Sequence, residues 1–162
     1  MKVDKILVPL DGSRLSEAAL APAVEMMREQ PGTTLVLLHA VEAPALPGVD
    51  ATEAQVAVVH GAETYLEGVA ARLAKDGVGP VKTSVWYGPA AVSIVEAAHA
   101  GRVGLIVMTT HGRSGLGRFI LGSVAESVVR GTRTPILLVR DDAAPVAAPP
   151  GVANPPEEAA HV

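Results

Sequence analysis

Short unbroken apolar runs alternate along this chain with stretches of helical spacing. The first run, Lys5 to Leu10, predicts a strand closed by the turn signal Asp11-Gly12-Ser13. Leu15, Ala18, Ala19, Pro22, Ala23 and Met26 then recur on one helical face and predict a helix, stopped at Pro31-Gly32. Pro22 must kink that helix or lie in its first turn, because proline donates no backbone hydrogen bond. Thr33 to Val41 predicts a second strand. Its continuous apolar stretch, Leu35-Val36-Leu37-Leu38, expects burial on both faces, as in a parallel sheet.

Beyond a loop over Glu42 to Asp50, a helix is expected over Thr52 to Lys75. Val59, Leu66, Val69, Ala70 and Leu73 make its apolar stripe, Glu63 breaks it, and Gly77 sits where a C-terminal cap belongs. Val81 to Tyr87 alternates like a strand near an edge. Gly88-Pro89 leads into a helix ending near Ala100, with Pro89 expected at its first position. Gly104 to Met108 predicts the fourth strand, Val124 to Arg130 a helix with Ser123 as its N-cap, and Pro135 to Val139 the fifth strand.

This βαβαβαβαβ order predicts an α/β fold: an open five-stranded parallel sheet with helices on both faces. Such sheets bind ligands outside the carboxyl ends of their strands, where the strand order reverses. Asp11, Val41 and the loop holding Gly112 lie at or just past the ends of the first, second and fourth strands. If the first and fourth strands are neighbours, all three converge on one crevice.

The fourth strand runs into Met108-Thr109-Thr110-His111-Gly112-Arg113-Ser114-Gly115-Leu116-Gly117-Arg118-Phe119-Ile120-Leu121-Gly122-Ser123-Val124. Four glycines and two arginines thus lie between a strand and a helix start. Glycines let backbone amides approach a ligand closely, and a helix N-terminus offers unpaired amides and the positive end of a dipole. Arginines add charge and forked donors. The stretch is a candidate phosphate cradle. Gly112, Arg113, Gly115, Gly122, Ser123 and Val124 are its candidate contacts, Met108 and Thr109 lie at its entrance, and Arg118 is a further charge partner.

Composition narrows the partners. A length of 162 residues suggests one domain, expected over 1–140, with a Pro- and Ala-rich tail over 141–162 that reads as disordered or docked on the domain. No cysteine is present, so disulfides and thiolate metal sites are excluded. The apolar run near the N-terminus is too short for a secretory signal core, which leads to an expected cytoplasmic location. A net charge of −4 argues against a general nucleic-acid binder, and 2% aromatic content against a base-stacking surface. The histidines show no metal-ligand spacing, so no metal site is expected.

On three signatures the chain resembles the universal stress proteins, a family with many ATP-binding members. They are Val8-Pro9-Leu10-Asp11-Gly12-Ser13, His39-Ala40-Val41, and Gly112 followed after nine residues by Gly122-Ser123. The resemblance covers about Lys5 to Arg140 and implies a Rossmann-like sheet of the adenine nucleotide alpha-hydrolase-like kind. The ATP-binding subgroup carries G-x-x-G-x9-G-S/T here, and Thr109 stands where its first glycine would be. A Cβ there crowds the ribose or α-phosphate, or its hydroxyl serves as a donor.

Carried over by position, the resemblance implies that Asp11 accepts from the ribose hydroxyls. Pro9 and Val41 flank adenine, Gly112 lets the chain pass close to the phosphates, and Gly122, Ser123 and Val124 meet the β- and γ-phosphates. ATP, with or without Mg2+, is the implied ligand, with AMP or a cyclic nucleotide as variants. The resemblance also implies a homodimer through Ile136-Leu137-Leu138-Val139 and a role in stress response or signalling. Neither a G-x-x-x-x-G-K-S/T loop nor a G-x-S-x-G elbow is present. Slow ATP hydrolysis is the most that enzymatic readings expect, and a nucleotide-independent scaffold of the same fold is the alternative.

Overall fold

The computed structural model describes residues 3–43, 50–110 and 121–140. Five parallel strands form one sheet: β1 (Lys5–Pro9), β2 (Thr34–Val41), β3 (Val81–Tyr87), β4 (Leu105–Thr109) and β5 (Ile136–Val139). Their spatial order is β3-β2-β1-β4-β5. The chain leaves β1 toward one edge and returns to build the other, so the order reverses between β1 and β4. The neighbouring of first and fourth strands, on which the crevice argument depends, is therefore present, and β3 is an edge strand.

The helices are α1 (Arg14–Glu17), α2 (Leu20–Glu29), α3 (Ala51–Lys75), α4 (Ala90–Ala100) and α5 (Ser123–Gly131). They cover both faces, and the period of two along each strand divides the core accordingly. Ile6, Val8, Leu35, Leu37 and Val107 pack with Ala23, Met27, Leu66 and Val69 of α2 and α3. Leu7, Leu38, Ile106 and Met108 pack on the other face with Ile94, Ala98, Ala125 and Val128 of α4 and α5. Two-sided burial explains why the β1, β2 and β4 sequences are continuously apolar rather than alternating.

Three local expectations are corrected. The single helix after β1 is two helices, interrupted at Ala18–Ala19. Pro22 lies in the first turn of α2, where its missing amide costs nothing, whereas in a continuous helix it would have left the Ala18 carbonyl without its donor. Pro89 is the N-cap of α4, not its first residue, because its ψ of 129° is extended. Gly122, not Ser123, is the N-cap of α5. The Gly122 amide donates to the Thr110 carbonyl at 2.7 Å, which holds Gly122 extended against the end of β4 and starts the helix at Ser123.

At the opposite end of the sheet, α4 closes with a Schellman pattern, the Val103 amide donating to the Ala98 carbonyl at 2.9 Å. Arg102 takes the left-handed position there, with φ 50°. The tail expected over 141–162 lies outside the described residues. Among those residues, no helix is long and apolar enough to cross a membrane.

Candidate functional site

The reversal of strand order opens a crevice of about 310 Å3 at the carboxyl ends of the strands. β1 and the turn after it contribute Pro9, Leu10 and Asp11. Ser16 comes from α1, and Leu38 and Ala40 from β2. β4 and its continuation contribute Met108, Thr109 and Thr110, while Gly122 to Ala125 open α5 on the far side. Ala90 and Ile94 of α4 complete the wall.

The Asp11 turn is held by its own side chains. Asp11 Oδ1 accepts from the Ser13 amide at 2.9 Å and from the Ser13 hydroxyl at 2.5 Å. The Ser13 hydroxyl oxygen in turn accepts from the Ser16 amide at 3.1 Å, capping α1. Gly12 between them has φ +81°, a conformation that side-chain-bearing residues rarely adopt. Asp11 is thus fixed at the crevice by a turn that its own carboxylate, Gly12 and Ser13 hold.

On the opposite wall, α5 presents its first turn. Its first main-chain bond runs from the Glu126 amide to the Gly122 carbonyl at 2.9 Å. By helix geometry the amides of Ser123, Val124 and Ala125 have no partner within the helix, and the positive end of the dipole lies there. The crevice therefore combines a carboxylate on one wall with backbone donors on another. Between them the lining is apolar: Pro9, Leu38, Ala40, Ile94 and Met108. A flat apolar group with a hydroxyl-bearing part and an anionic end matches that distribution.

Of the residues expected from sequence, Pro9, Asp11, Met108, Thr109, Gly122, Ser123 and Val124 line the crevice. Val41 ends β2 but does not line it; its carbonyl accepts the Gly88 amide at 2.9 Å. The strand period turns Leu38 and Ala40 to the crevice face and Val41 to the other. Gly112, Arg113, Gly115 and Arg118 lie outside the described residues. Thr109 is 8% exposed, so the side chain in place of the motif glycine is packed in the wall. Leu10, Ser16, Leu38, Ala40, Ala90, Ile94, Thr110 and Ala125 also line the crevice and are not among the contacts expected from sequence. Ser16 had a signal: it stands three residues after the N-cap Ser13, where a capped amide belongs. Among the described residues no group of His, Asp or Glu converges as a metal set.

With this geometry in view, comparison with known proteins gives a consistent result. The model of the Universal stress protein family matches residues 2–140. A universal stress protein of Methanocaldococcus jannaschii is 31% identical over 140 residues, covering 84% of this chain and 81% of the relative. The solved structure of the hypothetical protein MJ0577 superposes with a TM-score of 0.77 at 27% identity, covering 87% of this chain and 98% of that one. Universal stress protein UspA from Lactobacillus plantarum gives 0.75 at 25% identity, covering 86% and 99%. Two further proteins of the same fold, 22% and 17% identical, were solved in complex with cAMP and, from Arabidopsis thaliana, with AMP bound.

Proposed function

From the premise that the chain belongs to the universal stress protein family, we propose that it binds an adenine nucleotide, ATP with or without Mg2+, in the crevice between β1 and β4. The observation that carries this reading is the pairing of two features in one crevice: the Asp11 carboxylate, fixed by its turn, and the open first turn of α5. Asp11 accepts from the ribose hydroxyls. The phosphates lie toward Gly122, Ser123 and Val124, whose amides and helix dipole favour anions. Pro9 and Met108 supply apolar contact to the base. Val41 serves through its backbone alone, since its side chain lies on the other face. Gly112, Arg113 and Gly115 complete the phosphate side. The fold holds cAMP in one solved relative and AMP in another, in line with an adenosine-sized ligand.

The protein acts on this reading as a cytoplasmic homodimer in stress response, its occupancy reporting the supply of ATP, with β5 as the pairing edge. β5 is an edge strand of apolar residues, Ile136 to Val139, and Leu138 is exposed. Such an edge is an aggregation hazard unless covered. A nucleotide-independent scaffold is the second reading, favoured by the packed side chain of Thr109 where the motif has glycine.

Thermal unfolding with ATP, AMP or cAMP separates the two. Ligand at about 100 times its dissociation constant stabilises the native state by about 2.7 kcal/mol. A rise in Tm with ATP supports the nucleotide reading; an unchanged Tm with all three overturns it in favour of the scaffold.

A further inference from the structure

The Asp11 turn leads into a helix of only four residues, α1. One turn of helix does not hold itself, because nucleation costs more than its few hydrogen bonds return. The front of α1 is tied to the turn: Ser16 Oγ accepts from the Asp11 amide at 3.2 Å and donates to the Ser13 carbonyl at 2.9 Å. The back is tied elsewhere. The Tyr65 hydroxyl donates to Glu17 Oε1 at 3.0 Å, and Arg72 Nη2 donates to Glu17 Oε2 at 2.6 Å. Each carboxylate oxygen of Glu17 thus has its own donor, both on the 25-residue helix α3.

Tyr65 is itself well fixed. Its ring packs against the core and meets His39 of β2 edge to face, with centroids 5.6 Å apart and planes at 77°. Burial holds the phenol above its ordinary range and the Glu17 carboxylate adds to this, while Ser16 and Arg72 pull the other way. It is therefore a donor at neutral pH. Glu17, Tyr65 and Arg72 do not line the crevice, yet Glu17 directly follows Ser16, which does. The Tyr65 donor is part-buried and the Arg72 donor exposed; both lie on α3 and oppose rotation of α1 about its axis, the rotation that aims Ser16 and the Asp11 turn.

We propose that Glu17, clamped by Tyr65 and Arg72, is the positioning residue that holds Asp11 and Ser16 in place for ligand. The inference rests on the nucleotide reading and extends it from the lining residues to the helix behind them. Releasing the clamp lets α1 turn and fray, and the contact that suffers is the one that needs aim: the ribose hydroxyls on Asp11. Backbone contacts from α5 stay as they were.

The test measures dissociation constants for Mg-ATP and for its 3′-deoxy analogue on the full chain and on Glu17→Ala, Tyr65→Phe and Glu17→Gln. The wild type prefers ATP. In Glu17→Ala, ATP binding weakens about tenfold, equal to about 1.4 kcal/mol, the analogue weakens less, and the preference shrinks. Tyr65→Phe keeps the ring against His39 and also lowers the preference, so the test survives a poorly folded alanine variant. Glu17→Gln retains an oxygen for the Tyr65 hydroxyl but turns an amide toward Arg72, so it keeps one of the two ties and a preference between those of wild type and Glu17→Ala. Hydrogen exchange of amides 11–16 speeds up in the first two. Wild-type preference retained in both Glu17→Ala and Tyr65→Phe overturns the proposal while leaving the nucleotide reading intact. A wild type that binds neither nucleotide overturns the reading and the clamp together.

Discussion

Asp11 carries two duties that one pair of substitutions can separate. Its Oδ1 accepts two hydrogen bonds from Ser13, and on the proposed reading its carboxylate also receives the ribose hydroxyls. Asp11→Ala removes both. Two turn bonds at about 1 kcal/mol each predict a loss of about 2 kcal/mol in stability. Asp11→Asn keeps an oxygen for Ser13 and turns an amide to the other position, so the turn persists while the charge goes. Losing charge-assisted bonds to ligand costs about 1.5–3 kcal/mol, about 10- to 150-fold in affinity. Urea unfolding and calorimetric titration with Mg-ATP read the two quantities on the same samples. Both variants lose affinity by that factor, and only Asp11→Ala loses the stability. An asparagine variant that binds as tightly as wild type would refute the placement of the ribose at Asp11.

Three further outcomes follow from the packing. Leu66 is wholly buried between α3 and the sheet, so Leu66→Ala costs about 2–5 kcal/mol in urea unfolding. A Cβ at Gly101 would lie 2.9 Å from the Ala97 carbonyl oxygen, which is backbone and yields little; Gly101→Ala destabilises by about 1–3 kcal/mol in the same assay. Leu138→Lys puts a charge on the β5 edge and converts the proposed dimer to monomer in light scattering; a variant with the wild-type mass places the interface elsewhere.

The architecture was legible because its signals are local. Leu35 to Leu38 has no polar position, and both faces of β2 are indeed covered. Gly77, with φ +73°, follows α3 as its position suggested. The crevice was legible too, since strand alternation implies where a parallel sheet reverses and Asp11 and Gly122 flank that point. What escaped depends on contacts that periodicity does not carry. Gly122 caps α5 through a bond to Thr110, twelve positions earlier in the sequence, and the local spacing around Ser123 does not carry that constraint. The tie from Glu17 to Tyr65 spans 48 positions, and nothing in the spacing around either residue announces the other. Val41 was placed correctly along its strand, but the facing of its side chain depends on where β2 stops relative to the crevice.

Calorimetric titration of the purified full chain with Mg-ATP, after stripping and identifying any nucleotide that copurifies, tests nucleotide binding most directly. Micromolar affinity near one site per chain is the predicted result and would show that the crevice accommodates Thr109. Absence of heat together with an unchanged melting temperature would contradict it, and would leave the Asp11 turn and the α5 terminus as parts of a scaffold.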